Sequence, residues 1–347
     1  MGLMVLRNDG LVYLPGNWAE SRFKTTINRS GLSQLTALST DSGDLIDSPA
    51  DKGRVYAGDT QGKVVVIDAL QGTSSRKFLS PSSVAAFASD GDLIRSDTTS
   101  GPMHISRLQR IDASAEADDS GLLPIKSEYR TSEFPNTGSI YVNKISVNDK
   151  YVAAAGQSRE GNGIVLVWDI ESGNPIKRID FPSEDGSSTL EKLPDIVTQV
   201  NFVDGGKKLL AFNVKSKVLT TWSTDDWSKD SFLLVGGDTS PSLDVSPDSN
   251  EILVLSGTKF SGTKAKRISV QNLQVTSVHD IGKSLGIWYT TPDEFVSLDA
   301  EQSMSIRTGS TMEVTRTMAL PSAATSISPS PNGQLLALLQ RDGSAGC

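Results

Sequence analysis

The sequence predicts an all-β chain built from repeated four-stranded antiparallel units, and three observations predict it. A unit of β-prone run, tight turn of Asp, Asn, Pro and Gly, apolar strand, polar turn and alternating strand recurs along the chain. Its first turn returns about 40–58 residues apart. No helical period of 3.6 is sustained over ten residues, because Pro and Gly interrupt every candidate. The length of 347 residues exceeds the roughly 250–300 at which one core stops growing, unless the architecture is modular. At roughly 50 residues per unit the length accommodates seven, and stacked sheets spread a hydrophobic content of only 37% between many neighbours. The predicted fold is a seven-bladed β-propeller of four-stranded antiparallel blades, with residues 1–347 as a single domain.

The clearest copy, SIYVNKISVNDKYVAAAGQSREGNGIVLVWDIESGNPIKRI, begins at Ser139. IYVNKISV alternates, Asn148-Asp149-Lys150 turns, YVAAAG is small and apolar, IVLVWDI ends in Trp168-Asp169, and PIKRI supplies a fourth strand. The first turn reappears as TDSGD at Thr40, SDGD at Ser89, DGGKK at Asp204, SPDSNE at Ser246, TPDE at Thr291 and SPNGQ at Ser330. Tight hairpin turns need positive φ or side-chain bonds to the backbone, which Gly, Asn and Asp supply, while Pro presets the first turn position. Third strands follow from Lys63, Ile105, Val218, Arg267 and Met304 at matching offsets. At the ends, LMVLRNDGLVYL and LLALLQRDG read as partial units, so residues 1–30 and 321–347 are expected to share the closing blade. LRNDG and LQRDG also read as one element written twice, which leaves open the alternative that both ends are cut from a longer array.

These residues carry a resemblance. The unit ending in Trp168-Asp169, with SPDSNEILVLSG and SPNGQLLALLQRDG, resembles WD-repeat β-propeller blades. The segment GRVYAGDTQGKVVVIDALQG at Gly53 resembles the related quinoprotein-type propeller repeat. The resemblance implies structural roles for Trp168, packed between blades, and for Asp169. No blade carries the Gly-His dipeptide that usually opens a WD repeat, so the His-centred network of the family is missing and the blades are expected to rely on apolar packing between sheets.

Composition narrows function further. Lys+Arg 33 against Asp+Glu 41 gives a net charge of -8, which offers no attraction to phosphate backbones, so nucleic acid is not an expected partner. One cysteine, Cys347, and two histidines, His104 and His279, are too few for a structural zinc site, and no cofactor or metal is expected. No apolar run reaches membrane-span length, and Arg7 and Asp9 interrupt any signal-peptide core. The chain is therefore expected to be soluble and cytoplasmic by default, or periplasmic or extracellular if it is a piece of a longer one. The segment from Gly257 to Lys264 misses the phosphate-loop pattern because Thr263 stands where lysine must follow the second glycine. No Gly-x-Ser-x-Gly elbow is present, and the acidic run from Ala115 to Asp119 lacks calcium-loop spacing.

Function is expected on loops of the rigid scaffold. In a WD-like blade the loop between second and third strands shares a face with the connection to the next blade. GQSREGNG, FPSEDGSSTLEKLPD and SGTKFSGTKAK fall there, nominating Arg159, Glu160, Glu184, Asp185, Lys259, Phe260 and Lys264 as a partner-binding rim, with Phe260 as apolar anchor. The expected function is a non-catalytic, monomeric scaffold for protein or peptide partners. The alternative is a propeller enzyme or quinoprotein-like cofactor binder. The innermost strands (TALST, VAAFAS, NKISV, TQVNFV, PSLDVS, LGIWYT and TSISPS) aim little charge inward, which favours the scaffold; Asp244 and Lys144 are the exceptions and neither has an evident partner in sequence.

Overall fold

A computed structural model describes residues 124–181, 195–235, 242–257, 262–299 and 303–319, together with 92–96, 105–112 and residues 86, 88 and 115; elsewhere it describes only the course of strands. The fold is all-β, with one 3-10 turn among the described residues, at Thr131–Glu133. Five sheets run as up-and-down antiparallel meanders of four consecutive strands. They start at Ala85–Phe87, Ile140–Val147, Val197–Val203, Ser242–Val245 and Ser284–Thr291, and are named here by those first residues. Each of these first strands overlaps one of the segments read as innermost.

Side-chain type follows position in the meander. The second strands Tyr151–Ser158 and Lys208–Asn213 and the third strand Gly163–Asp169 are largely buried, as strands covered on both faces must be. Fourth strands end each sheet and are largely exposed: Ile125–Arg130, Pro175–Phe181, Lys229–Leu234, Val275–Asp280 and Val314–Ala319. First turns close as their residues require. Asn148 Oδ1 accepts from the amides of Lys150 and Tyr151 at 2.9 and 2.7 Å, and Ser246 Oγ accepts from Glu251 N at 2.9 Å.

The chain divides into two compact units, Met1–Phe78 with Gly237–Ser269 and Val275–Cys347, and Leu79–Gly236 with Val270–Gln274. In the second unit, one core joins the Ala85 and Ile140 sheets around Trp168, Tyr129 and Ile94, and another joins the Ile140 and Val197 sheets around Val165, Val167 and Trp222. In the first unit, Leu253, Ile287, Tyr289, Phe295 and Met312 form the core between the Ser242 and Ser284 sheets.

One turn is repeated with unusual backbone. Between third and fourth strands, Gly173, Trp227, Leu273 and Met312 occupy the same position at φ 73, 57, 53 and 59°. The amides of Gly173, Trp227 and Met312 return to the carbonyls of Asp169, Ser223 and Thr308 at 3.0, 3.0 and 2.9 Å, and pairing shifts by one residue beside each turn. Three of the four residues are not glycine, at a conformation that costs an L-residue roughly 1–2 kcal/mol. Burial offsets that cost: the Trp227 ring packs edge-on against Tyr151 of the preceding sheet at 5.2 Å, and Met312 is buried in its core.

Two further sheets are described as strand paths. Leu35–Thr40, Arg54–Asp59, Lys63–Asp68 and Thr73–Phe78 form a four-stranded meander, and a five-stranded sheet has the order Ala324–Pro329, Leu335–Gln340, Gly2–Arg7, Gly10–Leu14, Thr26–Ile27. The last differs from the four-stranded antiparallel closing unit that the sequence predicts. Gly2–Arg7 runs parallel to Leu335–Gln340, with Leu3 opposite Leu336 and Leu6 opposite Leu339.

Polar links between sheets also correct the expectation of purely apolar packing. The Trp168 indole N–H donates to the Arg130 carbonyl at 3.3 Å, and the Tyr129 hydroxyl to the Ile170 carbonyl at 2.8 Å. Ser146 Oγ accepts from Phe202 N at 3.0 Å, Ser242 Oγ from Ile287 N at 3.3 Å and Asp244 Oδ2 from Tyr289 N at 2.7 Å. Asp244 thus has a partner, the first-strand backbone of the next sheet. Short polar side chains on one first strand here hold the backbone of its neighbour.

Candidate functional site

The rim residues separate by position. Arg159 and Glu160 are exposed in the turn between Tyr151–Ser158 and Gly163–Asp169, beside one another as expected. Lys264 is exposed within the strand Gly262–Ser269, where it pairs with Ser256 and Asp280, and it belongs to the other compact unit. It is therefore a strand residue, not a loop residue. Glu184, Asp185, Lys259 and Phe260 lie outside the described residues, as do His104 and the acidic positions 116–119. Trp168 is fully buried, as its structural role requires, and Asp169 closes its turn by accepting from the Ser172 amide and hydroxyl at 2.8 Å. Those two bonds hold the Asp169 carboxyl below its ordinary value.

A buried polar cluster anchors the Arg159 turn. Gln157 Nε2 donates to the carbonyls of Gly161 and Asp195 at 2.9 and 3.2 Å, and Asn213 Nδ2 donates to Asp195 Oδ1 at 2.7 Å. Asn213 Oδ1 accepts from the amide of Ser216 at 3.0 Å, which fixes the corresponding turn of the Val197 sheet. Gly163 is required here, since a Cβ would come within 2.6 Å of Asn213 Nδ2. The exposed turn residues therefore stand on a rigid base.

Two equivalent ion pairs recur at the opposite end of the second strands. Arg110 Nε meets Asp92 Oδ2 at 2.7 Å, and Arg267 Nε meets Glu251 Oε2 at 3.0 Å. Each arginine pairs in register with the residue two beyond its acid, Ile94 or Leu253. Both reach the next sheet: Arg110 donates to Glu171 at 3.1 Å, and the Tyr289 hydroxyl lies 3.5 Å from the Glu251 oxygen. Burial first, and the Glu251 charge second, raise the Tyr289 hydroxyl above its ordinary value. This device was not read from sequence, although an acid at the second-strand start followed by a third-strand arginine was the signal.

Two surfaces remain open. Of the eight large apolar side chains exposed among the described residues, seven sit on fourth strands: Ile125, Ile176, Phe232, Leu234, Val275, Val278 and Val314. Phe232 and Leu234 are 67% and 66% exposed on one face of an edge strand, and Lys229 Nζ stands 4.7 Å from the Phe232 ring centre. The second surface is a cavity of about 310 Å³ on the Ser284 sheet, with Lys283, Ser284, Ser297, Asp299, Ser305 and Arg307 in its wall. No protein-family model and no curated protein matches this chain.

Proposed function

We propose that the chain is a seven-bladed, WD-like β-propeller acting as a non-catalytic scaffold for protein partners. The observation that carries this reading is the concentration of exposed apolar side chains on the fourth strands of the Ala85, Ile140, Val197, Ser242 and Ser284 sheets. An edge strand offers unpaired backbone donors and acceptors together with alternating side chains, which suits addition of an extended partner segment. Lys229–Leu234 is the best such edge, because Phe232 and Leu234 provide adjacent anchors. Arg159 and Glu160, on their anchored turn, form the second, polar contact region of the reading.

The test compares partner capture by the full chain and by two variants, Phe232→Asp/Leu234→Asp and Arg159→Glu/Glu160→Lys. Both pairs are exposed, so melting temperature should hold within a degree or two. The first variant is expected to lose most of the specifically bound protein and the second to lose part of it. Quantitatively unchanged capture by both variants contradicts the scaffold reading.

A further inference from the structure

The Ser284 sheet departs from the Ile140 sheet on one face. In the Ile140 sheet, Val152, Ala154, Ile164, Leu166 and Trp168 form the apolar face that packs on the preceding sheet. The same register positions in the Ser284 sheet hold Phe295, Ser297, Ser303, Ser305 and Arg307. Arg307 thus stands where Trp168 stands, and it makes the corresponding bond: its NH2 group donates to the Ile281 carbonyl, just beyond the last strand of the preceding sheet, at 3.3 Å. Hydroxyls smaller than the aliphatic chains they replace leave the cavity of about 310 Å³.

Charge is the second departure. Arg307 Nε donates to Ser297 Oγ at 2.9 Å and NH1 to the Met312 carbonyl at 2.9 Å, so all its acceptors among the described residues are neutral. A guanidinium carries five N–H donors, and two of them have no acceptor among the described residues. Burial lowers the Arg307 pKa from its ordinary value, as for a cation drawn out of water without a counter-ion. The wall holds two cations, Arg307 and Lys283, against one carboxylate, Asp299, whose oxygens accept from the Ser303 amide at 2.8 Å and from its hydroxyl. In a chain of net charge -8, this is a locally positive, hydroxyl-lined hollow with a partly committed guanidinium.

The geometry points to a binding site for a phosphate monoester, with Arg307 and the serine hydroxyls as donors to the phosphoryl oxygens and Lys283 as the exposed charge at the mouth. A guanidinium fork matches a phosphoryl group in geometry, and charge-assisted bonds to it are the strong ones. The volume suits a small phosphorylated metabolite or a phosphorylated side chain. This site does not depend on the scaffold reading.

The experiment is calorimetric titration of the full chain with a small phosphate monoester, with a phosphoserine peptide and with the same peptide unphosphorylated. At least one phosphorylated ligand is expected to bind at one equivalent, and the unphosphorylated peptide is expected not to bind. Binding of the monoester alone identifies a metabolite, and binding of the phosphopeptide identifies a modified partner. Lys283→Glu, at an exposed position, is expected to weaken binding by about tenfold or more, equivalent to about 1.4 kcal/mol, with the melting temperature unchanged. Arg307→Lys is expected to weaken it further, because a point charge replaces the fork. Absence of saturable binding by both phosphorylated ligands, or binding unchanged in Lys283→Glu, overturns the proposal.

Discussion

At the scale of single residues, the backbone at Met312 makes an unusual prediction. Glycine is ordinarily worse than alanine in a folded segment, but at φ 59° alanine keeps the strain while losing the buried side chain. Met312→Gly should therefore be more stable than Met312→Ala by about 1 kcal/mol, read from denaturant midpoints. The opposite order would mean that the turn does not hold its left-handed residue. Gly156 is constrained differently, since a Cβ there would overlap the Tyr141 carbonyl across the bulge opposite Val142. Gly156→Ala should cost about 3 kcal/mol. Two titrations follow from the buried and bonded groups. Tyr289 is raised in the folded state, so its contribution to stability is present below an unfolded value of about 10 and is lost as pH rises toward the folded value. Asp169 is lowered, so its contribution is present above about 3.9 and is lost as pH falls through the folded value. Unfolding midpoints followed through both windows should slope less in Tyr289→Phe and in Asp169→Asn, respectively.

At the scale of elements, the ion pairs divide by burial. Asp92 accepts from Arg110 and from Lys126 at 2.7 Å each, with its own side chain buried, so Asp92→Ala leaves the buried Arg110 guanidinium only the exposed Glu171 as counter-charge and should cost about 3 kcal/mol. Arg178 and Asp180 pair at 2.8 Å on an exposed strand, and Asp180→Ala should cost less than about 1 kcal/mol. Equal losses in urea unfolding would contradict the linking role given to Asp92. Strands were the most legible elements: the alternation of IYVNKISV, the continuous run IVLVW and the Asn148 turn each carry a local signal that fixes their structure. The links between sheets were not legible, because the bond from Ser146 to Phe202 N or from Asp244 to Tyr289 N joins residues about a whole unit apart. Arg307 was hidden for the same reason. It reads as an ordinary polar residue of MSIRTG until register places it on the Trp168 position.

At the scale of the whole chain, charge and surface chemistry separate two kinds of partner. A net charge of -8 opposes an extended polyanion, so no shift of duplex DNA is expected in a gel assay even at low salt. A single phosphoryl group can still enter one local positive hollow. The exposed second–third turn was legible at Arg159 and Glu160, where it is short. The fourth-strand anchors Phe232 and Leu234 escaped notice because KDSFLL reads by itself as an ordinary half-buried strand, and only its terminal place in the sheet exposes it. The scaffold reading and the quinoprotein-like alternative differ most directly in what the purified full chain contains. Native mass measurement with an absorbance scan and metal analysis decides between them. The scaffold account predicts no quinone chromophore and no stoichiometric metal; a tightly held quinone or metal at one equivalent per chain would contradict it.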